Sequence, residues 1–418
     1  MPVTRPKNTA REPLSRAFFS FFAMHTSFIT FWALPNIFIN TFLVSLNGDV
    51  RISYVFNIII CAVQGFAELL ASRLYAKTGA KAVTRIGLGL YAFAYLQLLV
   101  FRENSVTVMP LIAVASGTAG GFYWLGYALA VKNTTSDANR DAGLGLIGST
   151  TAGVMMAAPL ASGAIIKALA GGRGYFAVFF LSFLFALTTF FFAGTVRFGP
   201  FSPRASGTAA GAVRAAAQSP AMRFGLAAEF CRGLYDGAFG IILSLLIFLL
   251  TRDEFTVGLA GFIAGAAGMA FNLTAAGLLK PSRRAKSIAG ASLLLSAVAA
   301  GLFFSSGTAA LFAAGTVNAL AWCLTSIPNN SMFVKAVETL TPDGRYAPAF
   351  FSFREISLNF GRIAGFLLLL FMPQNTNACV AVMLALALSQ LLTAAFNAAA
   401  ARATAETGGE AHRALCQG

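Results

Sequence analysis

Long apolar segments recur along the whole chain, with only short polar breaks between them. A helix needs about 20 apolar residues to cross a hydrocarbon core of ~30 Å, and we predict twelve such spans. The chain of 418 residues is 57% hydrophobic and 11% charged, well outside the balance of soluble proteins. Strands of a membrane barrel would alternate polar and apolar residues over about ten positions, and these runs are continuous. The sequence therefore predicts an all-helical membrane protein.

The polar breaks predict how the chain is divided. The predicted spans are residues 17–46, 52–76, 83–101, 106–131, 142–168, 174–196, 223–250, 256–279, 287–305, 308–334, 347–372 and 377–400. The longest break inside the chain is rich in Gly, Ser, Pro and Ala and separates six spans from six. We therefore expect a cytoplasmic arm, a six-helix bundle, a cytoplasmic loop, a second six-helix bundle and a cytoplasmic tail, at residues 1–16, 17–196, 197–221, 222–400 and 401–418.

Basic residues predict the orientation of the spans. If the N-terminus is cytoplasmic, the inside segments hold 21 of the 30 Lys and Arg residues and the outside segments hold five. Cytoplasmic loops carry such an excess, so we expect both termini inside, in a plasma membrane or bacterial inner membrane. The net charge of +15 is spread over the loops. It therefore suits contact with anionic membrane lipids, and nucleic acid is not an expected partner.

One cytoplasmic loop carries a family motif in altered form. Residues 72–81 read "SRLYAKTGAK", where the pattern Gly-x-x-x-Asp-Arg-x-Gly-Arg-Lys is matched by Lys77, Gly79 and Lys81. Together with twelve spans in two parallel halves and termini inside, this loop resembles that of the major facilitator superfamily of transporters. Ala76 stands where that family has its Asp. The family's ion-pair latch between this loop and the eleventh span would therefore need another carboxylate.

Polar stripes on four spans predict a substrate cavity. A polar side chain within lipid must face protein or water, and the resemblance implies that the first, fourth, seventh and tenth spans line a central cavity. His25 lies on the stripe of the first span. The residues that we predict to bind substrate on these faces are Trp32, Asn36, Tyr123, Trp124, Tyr127, Arg232, Asn318, Trp322 and Asn329.

The seventh span carries three charges within a narrow arc, Glu229, Arg232 and Asp236. A charge at the middle of a membrane costs at least ~2.5–3.5 kcal/mol on insertion scales, which favours a function. We predict Asp236, near the bilayer centre, as the proton-coupling carboxylate and Glu229 as the second candidate. The alternative is a self-neutralising ladder that holds this span against a neighbour.

The second and eleventh spans are neighbours across the two halves in the family that the chain resembles. We expect Glu68 to form an ion pair with Arg354 or Arg362, which makes a gate together with Glu355. Direct binding of substrate or protons by this set is the alternative. Arg85, Lys167 and Arg223, near the ends of their spans, are counted with the loops. The charges that remain in the spans are four acidic residues and, with Arg73, four basic ones, a balance that favours internal pairs.

These patterns predict a secondary active transporter, coupled to protons, for a small amphipathic or anionic organic solute. It would work as a monomer by alternating access. A lipid flippase on the same fold, an uncoupled facilitator, and a membrane enzyme or receptor are the alternatives. The sequence has no nucleotide-binding loop of the Gly-x-x-x-x-Gly-Lys-Ser/Thr kind. The five cysteines and two histidines are scattered, so we expect no metal and no cofactor.

Overall fold

The computed structural model describes residues 12–49, 51–169, 172–198, 208–251, 254–305, 307–373 and 375–417, and within these ranges it is helical without strands. The α-helices are α1 Arg16–Asn47, α2 Arg51–Phe101, α3 Met109–Thr134, α4 Arg140–Leu169, α5 Gly172–Ala193, α6 Ala209–Gln218, α7 Pro220–Asp236, α8 Phe239–Thr251, α9 Glu254–Leu278, α10 Arg284–Gly301, α11 Thr308–Leu340, α12 Ala347–Phe371 and α13 Thr376–Gln417.

The second and third predicted spans are joined more tightly than expected. They lie in one helical element, α2, which is interrupted at Gly79 with φ 77° and ψ 174°. Only glycine adopts this backbone conformation at low cost because it has no Cβ. The predicted loop between the two spans is therefore a turn at one residue, and helical residues continue on both sides of it.

The seventh predicted span also differs from a single helix. It starts earlier than expected, at Pro220, where Ser219 caps the helix by accepting a hydrogen bond from the Met222 amide at 3.2 Å. It then ends at Asp236, and α8 starts at Phe239. Both α7 and α8 are shorter than the length that crosses a bilayer, so the chain passes through this region as two helices in succession.

Two segments predicted as connections contain helix. The later part of the predicted central loop forms α6, capped by Thr208, while 199–207 lies outside the described residues. The predicted tail from residue 401 continues α13 as far as Gln417. By length and composition, seven helical segments of the described chain are long and apolar enough to cross a membrane.

The charged helices α7 and α12 meet through glycines. Gly233 and Gly237 face the backbone of α12, and Gly361 and Gly365 face the backbone of α7. Small residues let two helix backbones approach closely in a membrane. On its other side α12 packs against the first part of α2, and α4 packs against α9. These contacts place the acidic and basic residues of the predicted spans opposite one another.

We expect Gly361→Ala to destabilise the protein, because the added Cβ would overlap the carbonyl oxygen of Phe230. Overpacking of this kind costs about 1–3 kcal/mol, which a lower melting temperature in detergent would report. Gly290→Ala is the matched control, since a Cβ at that helical position meets open space. Equal melting temperatures for the two variants would show that the α7–α12 contact is looser than described.

Candidate functional site

Glu229 lies at the centre of a buried polar cluster. It is 1% exposed, and its Oε2 accepts a hydrogen bond from Arg232 Nε at 2.8 Å. Its Oε1 accepts a hydrogen bond from Asn329 Nδ2 at 2.9 Å and lies 2.9 Å from Arg354 Nε. The last contact is an ion pair without hydrogen-bond alignment. Glu229 is thus compensated by two arginines, one from its own helix and one from α12.

Asp236 forms a second cluster with α12. Arg362 donates to Asp236 Oδ2 from Nε at 2.8 Å and lies 2.6 Å from it through Nη2. The same guanidinium reaches Glu355 Oε1 at 3.5 Å and donates to Asn359 Oδ1 at 3.2 Å. Arg232 therefore pairs with Glu229, while Asp236 has a different arginine. The proton-coupling role of these two carboxylates stays a prediction.

The expected ion pair of Glu68 with Arg354 or Arg362 is wrong in this structure. Arg354 pairs with Glu229 and Arg362 pairs with Asp236 and Glu355, because the glycine contact holds α7 closer to these arginines. Between α2 and α12 a hydrogen bond joins two side chains instead: Gln64 Nε2 donates to Glu355 Oε1 at 2.6 Å.

A cavity of about 360 Å³ lies between helices from both parts of the chain. Side chains of α1, α3 and α4 line one side, and side chains of α9 and α11 line the other. Its polar and aromatic lining consists of His25, Trp124, Tyr127, Thr151, Asn272, Asn318, Trp322, Ser326 and Asn330. Among the described lining residues there is no Asp, Glu, Lys or Arg, so the cavity combines aromatic surfaces with amide and hydroxyl groups.

Four of the predicted substrate-binding residues line this cavity, Trp124, Tyr127, Asn318 and Trp322. The others are outside its described lining. Tyr123 is fully buried and shares a hydrogen bond of 2.8 Å with His25 Nδ1. Asn329 and Arg232 belong to the Glu229 cluster, and Trp32 and Asn36 lie further along α1.

The lining also contains residues that were not among the predicted substrate-binding residues. His25 was on the predicted stripe of the first span, and its ring centroid lies 4.7 Å from that of Tyr127. Asn272 and Asn330 are the clearest omissions. Asn272 was detectable as a single amide in an otherwise apolar span, but its inward direction follows only from the packing of α9 against α4.

Ion pairs also connect α4 with α10 and α11 at one end of the bundle. We call this the inner end because its basic residues predict a cytoplasmic location. Arg284 at the start of α10 lies 2.6 Å from Asp137 Oδ1 and 3.0 Å from Asp141 Oδ2. Arg140 lies 2.6 Å from Glu338. In the sequence both arginines count only as orientation signals, yet both are buried and join segments far apart in the chain.

The pKa of Asp137 reports the strength of this inner-end cluster. Burial alone would raise that pKa, but the hydrogen bond and charge of Arg284, with Lys335 and Arg140, bring it below its ordinary value. A carboxyl with a lowered folded-state pKa adds stability above its unfolded-state pKa. That stability is lost as the pH falls through the folded-state value, so acid weakens the cluster.

The chain is similar in sequence to two bacterial proteins. No protein-family model matches the chain. It is 27% identical over 361 residues to the uncharacterized protein YqgE of Bacillus subtilis (strain 168), covering 85% of this chain and 82% of that protein. It is 29% identical over 147 residues to an uncharacterized protein in the sodM 3′ region of Geobacillus stearothermophilus, covering 35% of this chain and 69% of that protein.

Solved transporter structures share the fold. A bacterial homologue of the iron transporter ferroportin, in its outward-facing state, matches with a TM-score of 0.73 at 13% identity, over 92% of this chain and 100% of that chain. The fucose:proton symporter FucP of E. coli matches with a TM-score of 0.69 at 15% identity, over 94% of this chain and 99% of that chain. The human organic anion transporter MFSD10 matches with a TM-score of 0.66 at 13% identity, over 93% of this chain and 97% of that chain. The chain therefore has the fold of the major facilitator superfamily, as the resemblance implied.

We expect Arg284→Gln to lower the melting temperature markedly, because it leaves Asp141 buried without its cation. Breaking a buried ion pair costs about 3–5 kcal/mol. Arg345→Gln is the matched control, since its partner Asp343 and Arg345 itself are both more than half exposed, and exposed pairs contribute about 0–1 kcal/mol. A similar loss in both variants would contradict the assignment of the inner-end cluster as the stronger contact.

Proposed function

We propose that this protein is a secondary active transporter that moves a small amphipathic organic solute across a membrane by alternating access. In this proposal the twelve predicted spans form two six-helix halves, one on each side of the central loop. The halves rock around the cavity, which is exposed to one side of the membrane at a time. Movement of the solute is coupled to protons.

The cavity is the observation that carries this proposal. Its lining comes from α1, α3 and α4, which precede the central loop, and from α9 and α11, which follow it. A solute bound there would contact both proposed halves. Relative rotation of the halves would therefore change its access without breaking the fold of either one. A mostly apolar cavity with a few convergent polar groups is typical of small-molecule sites.

The lining favours an amphipathic solute over a strongly anionic one. Trp124, Tyr127 and Trp322 offer ring faces, and three amides offer both donors and acceptors. An anionic substrate would need a cation to replace its water shell. Arg232, the candidate for that role, is buried against Glu229.

The ion pairs supply the proposed gate. Arg284, Asp137 and Asp141 close the inner end between α4 and α10. The contact between Gln64 and Glu355 closes the neighbouring seam between α2 and α12. When the halves rock apart at this end, water would enter both seams and separate these groups. Glu355, with Arg354 and Arg362 on the same helix, keeps its proposed role in this gate.

We place both termini and residues 197–221 in the cytoplasm of a plasma or bacterial inner membrane, with the protein acting as a monomer. A single cysteine at Ser206, in a background without native cysteines, should react with an impermeant thiol reagent only after the cells are opened. The positive-inside distribution of Lys and Arg is the reason. Ready reaction from outside intact cells would reverse this topology.

Uptake into proteoliposomes tests the proposed function. A panel of neutral, anionic and cationic aromatic solutes should be measured with and without a pH gradient, and we expect gradient-driven accumulation of uncharged members. Competition by lipid headgroups would instead favour a flippase on the same fold. Accumulation that ignores the pH gradient would favour an uncoupled facilitator.

For any solute that accumulates, Trp322→Ala should weaken apparent affinity by about fivefold or more, because an aromatic contact contributes ~1 kcal/mol beyond the area that it buries. Phe93→Ala is the control, since Phe93 is an exposed aromatic on α2 and is about half exposed. Binding assays on purified protein would measure both. Unchanged affinity in Trp322→Ala would show that the solute binds elsewhere.

A further inference from the structure

Glu68 is a buried carboxyl that contacts no cation among the described residues. It is 2% exposed, and its Oε2 has no hydrogen-bond partner in the part of the chain that the structure describes. No ion pair within that part involves it. Its position is fixed by the backbone: Ser352 Oγ of α12 donates to the Glu68 carbonyl oxygen at 3.0 Å. Glu68 therefore lies directly in the seam between α2 and α12.

The helices packed against Glu68 do not supply its missing partner. From α12, Glu355 and Arg354 act on it electrostatically, with opposite signs. Arg354 lies 2.9 Å from Glu229 and compensates that residue. On the other side, α3 presents Gly121 to the Glu68 backbone. Arg354 is thus committed to Glu229, and the second carboxylate, Glu355, adds repulsion.

The described charges in this region include one carboxyl group more than the arginines that compensate them. Three arginines compensate three carboxylates through the contacts of Glu229, Asp236 and Glu355. Arg73, which completed the four-to-four balance in the sequence, is exposed on α2 and lies outside these contacts. An uncompensated charge buried in protein costs several kcal/mol, and such a group takes up a proton instead. With three arginines for four carboxyl groups, this region is electrically neutral only if the Glu68 carboxyl is protonated.

We propose that Glu68 is the proton-coupling residue and holds a proton while the seam between α2 and α12 is closed. When the seam opens, water reaches the carboxylic acid, its O–H bond breaks, and the proton passes to water. The Glu68 carboxylate that remains is solvated, and it keeps the seam from closing until a proton returns. This inference rests on the proposed alternating-access function and assigns its coupling site to α2 in place of Asp236 or Glu229.

The first test follows the conformation and needs no substrate. Spin labels at Lys77 and Arg345, both exposed at the inner end, report whether the seam is open. In the wild type, the ratio of open to closed protein should rise with pH by up to about tenfold per unit, as expected for release of one proton. Glu68→Gln imitates the protonated form, so it should stay closed at every pH.

Two comparison variants give this test its specificity. Asp236→Asn should still open in a pH-dependent way, because Glu68 is unchanged, but with its midpoint at lower pH, since Arg362 loses one of its carboxylate partners. Glu103→Gln, an exposed glutamate outside this region, should keep the pH dependence of the wild type. The proposal is overturned if Glu68→Gln retains the wild-type pH dependence, or if Asp236→Asn alone abolishes it.

The second test uses the unaltered protein, so it does not depend on the folding of a variant. Dicyclohexylcarbodiimide is an apolar reagent that reacts with protonated carboxyl groups. Mass spectrometry after treatment near neutral pH should find the adduct on Glu68 and not on Glu229, Asp236 or Glu355. An adduct on one of those three, with Glu68 unmodified, would overturn the proposal.

The outcomes also separate this inference from the proposed function. If vesicles accumulate solute under a pH gradient and Glu68→Gln accumulates it equally well, the transporter stands and the assignment of Glu68 fails. If Glu68 carries the adduct and controls the seam but no solute responds to a pH gradient, Glu68 stands as a proton-controlled gate and coupled transport fails.

Discussion

The close contact between α7 and α12 is the constraint on which the buried charges of this protein depend. Charges removed from water are tolerated only when partners lie within hydrogen-bond distance. Glycines on both helices, Gly233 and Gly361 among them, permit that distance. As a result Glu229 meets Arg354 and Asp236 meets Arg362. With larger residues at the contact, the same charges would lie too far apart to compensate one another.

The cavity and the inner-end cluster share two helices. Thr151 and Asp141 both lie on α4, and Trp322 and Ser331 both lie on α11. Ser331 Oγ donates to Asp141 Oδ1 at 2.5 Å, so α4 and α11 are joined by a hydrogen bond between the cavity and the inner end. In the proposed transport cycle, a solute that shifts these helices would act directly on the proposed gate. In the proposed cycle, protonation acts on the neighbouring seam between α2 and α12.

Much of the fold was accessible from the sequence, because apolar length and helical periodicity are local properties. The stripes of the fourth and tenth spans identified Trp124 and Trp322 as inward-facing. The break after Asp236 was not predicted, since the surrounding residues remain apolar across it. The inner-end cluster was missed for a related reason: Arg284 has the sequence context of a topology signal, and only the approach of α4 makes it an ion-pair partner.

The sequence by itself determined the helical membrane class, the resemblance to a transporter family and the faces on which polar groups lie. Only the tertiary structure decided which charges meet. Helical spacing specifies the direction of a side chain around its own axis, whereas a partner on another helix depends on distances set by packing between distant segments. Four acids and four arginines are balanced in the sequence, but Arg73 is exposed. Within the described part of the chain, Glu68 has no cation partner, because Arg354 and Arg362 pair with other carboxylates.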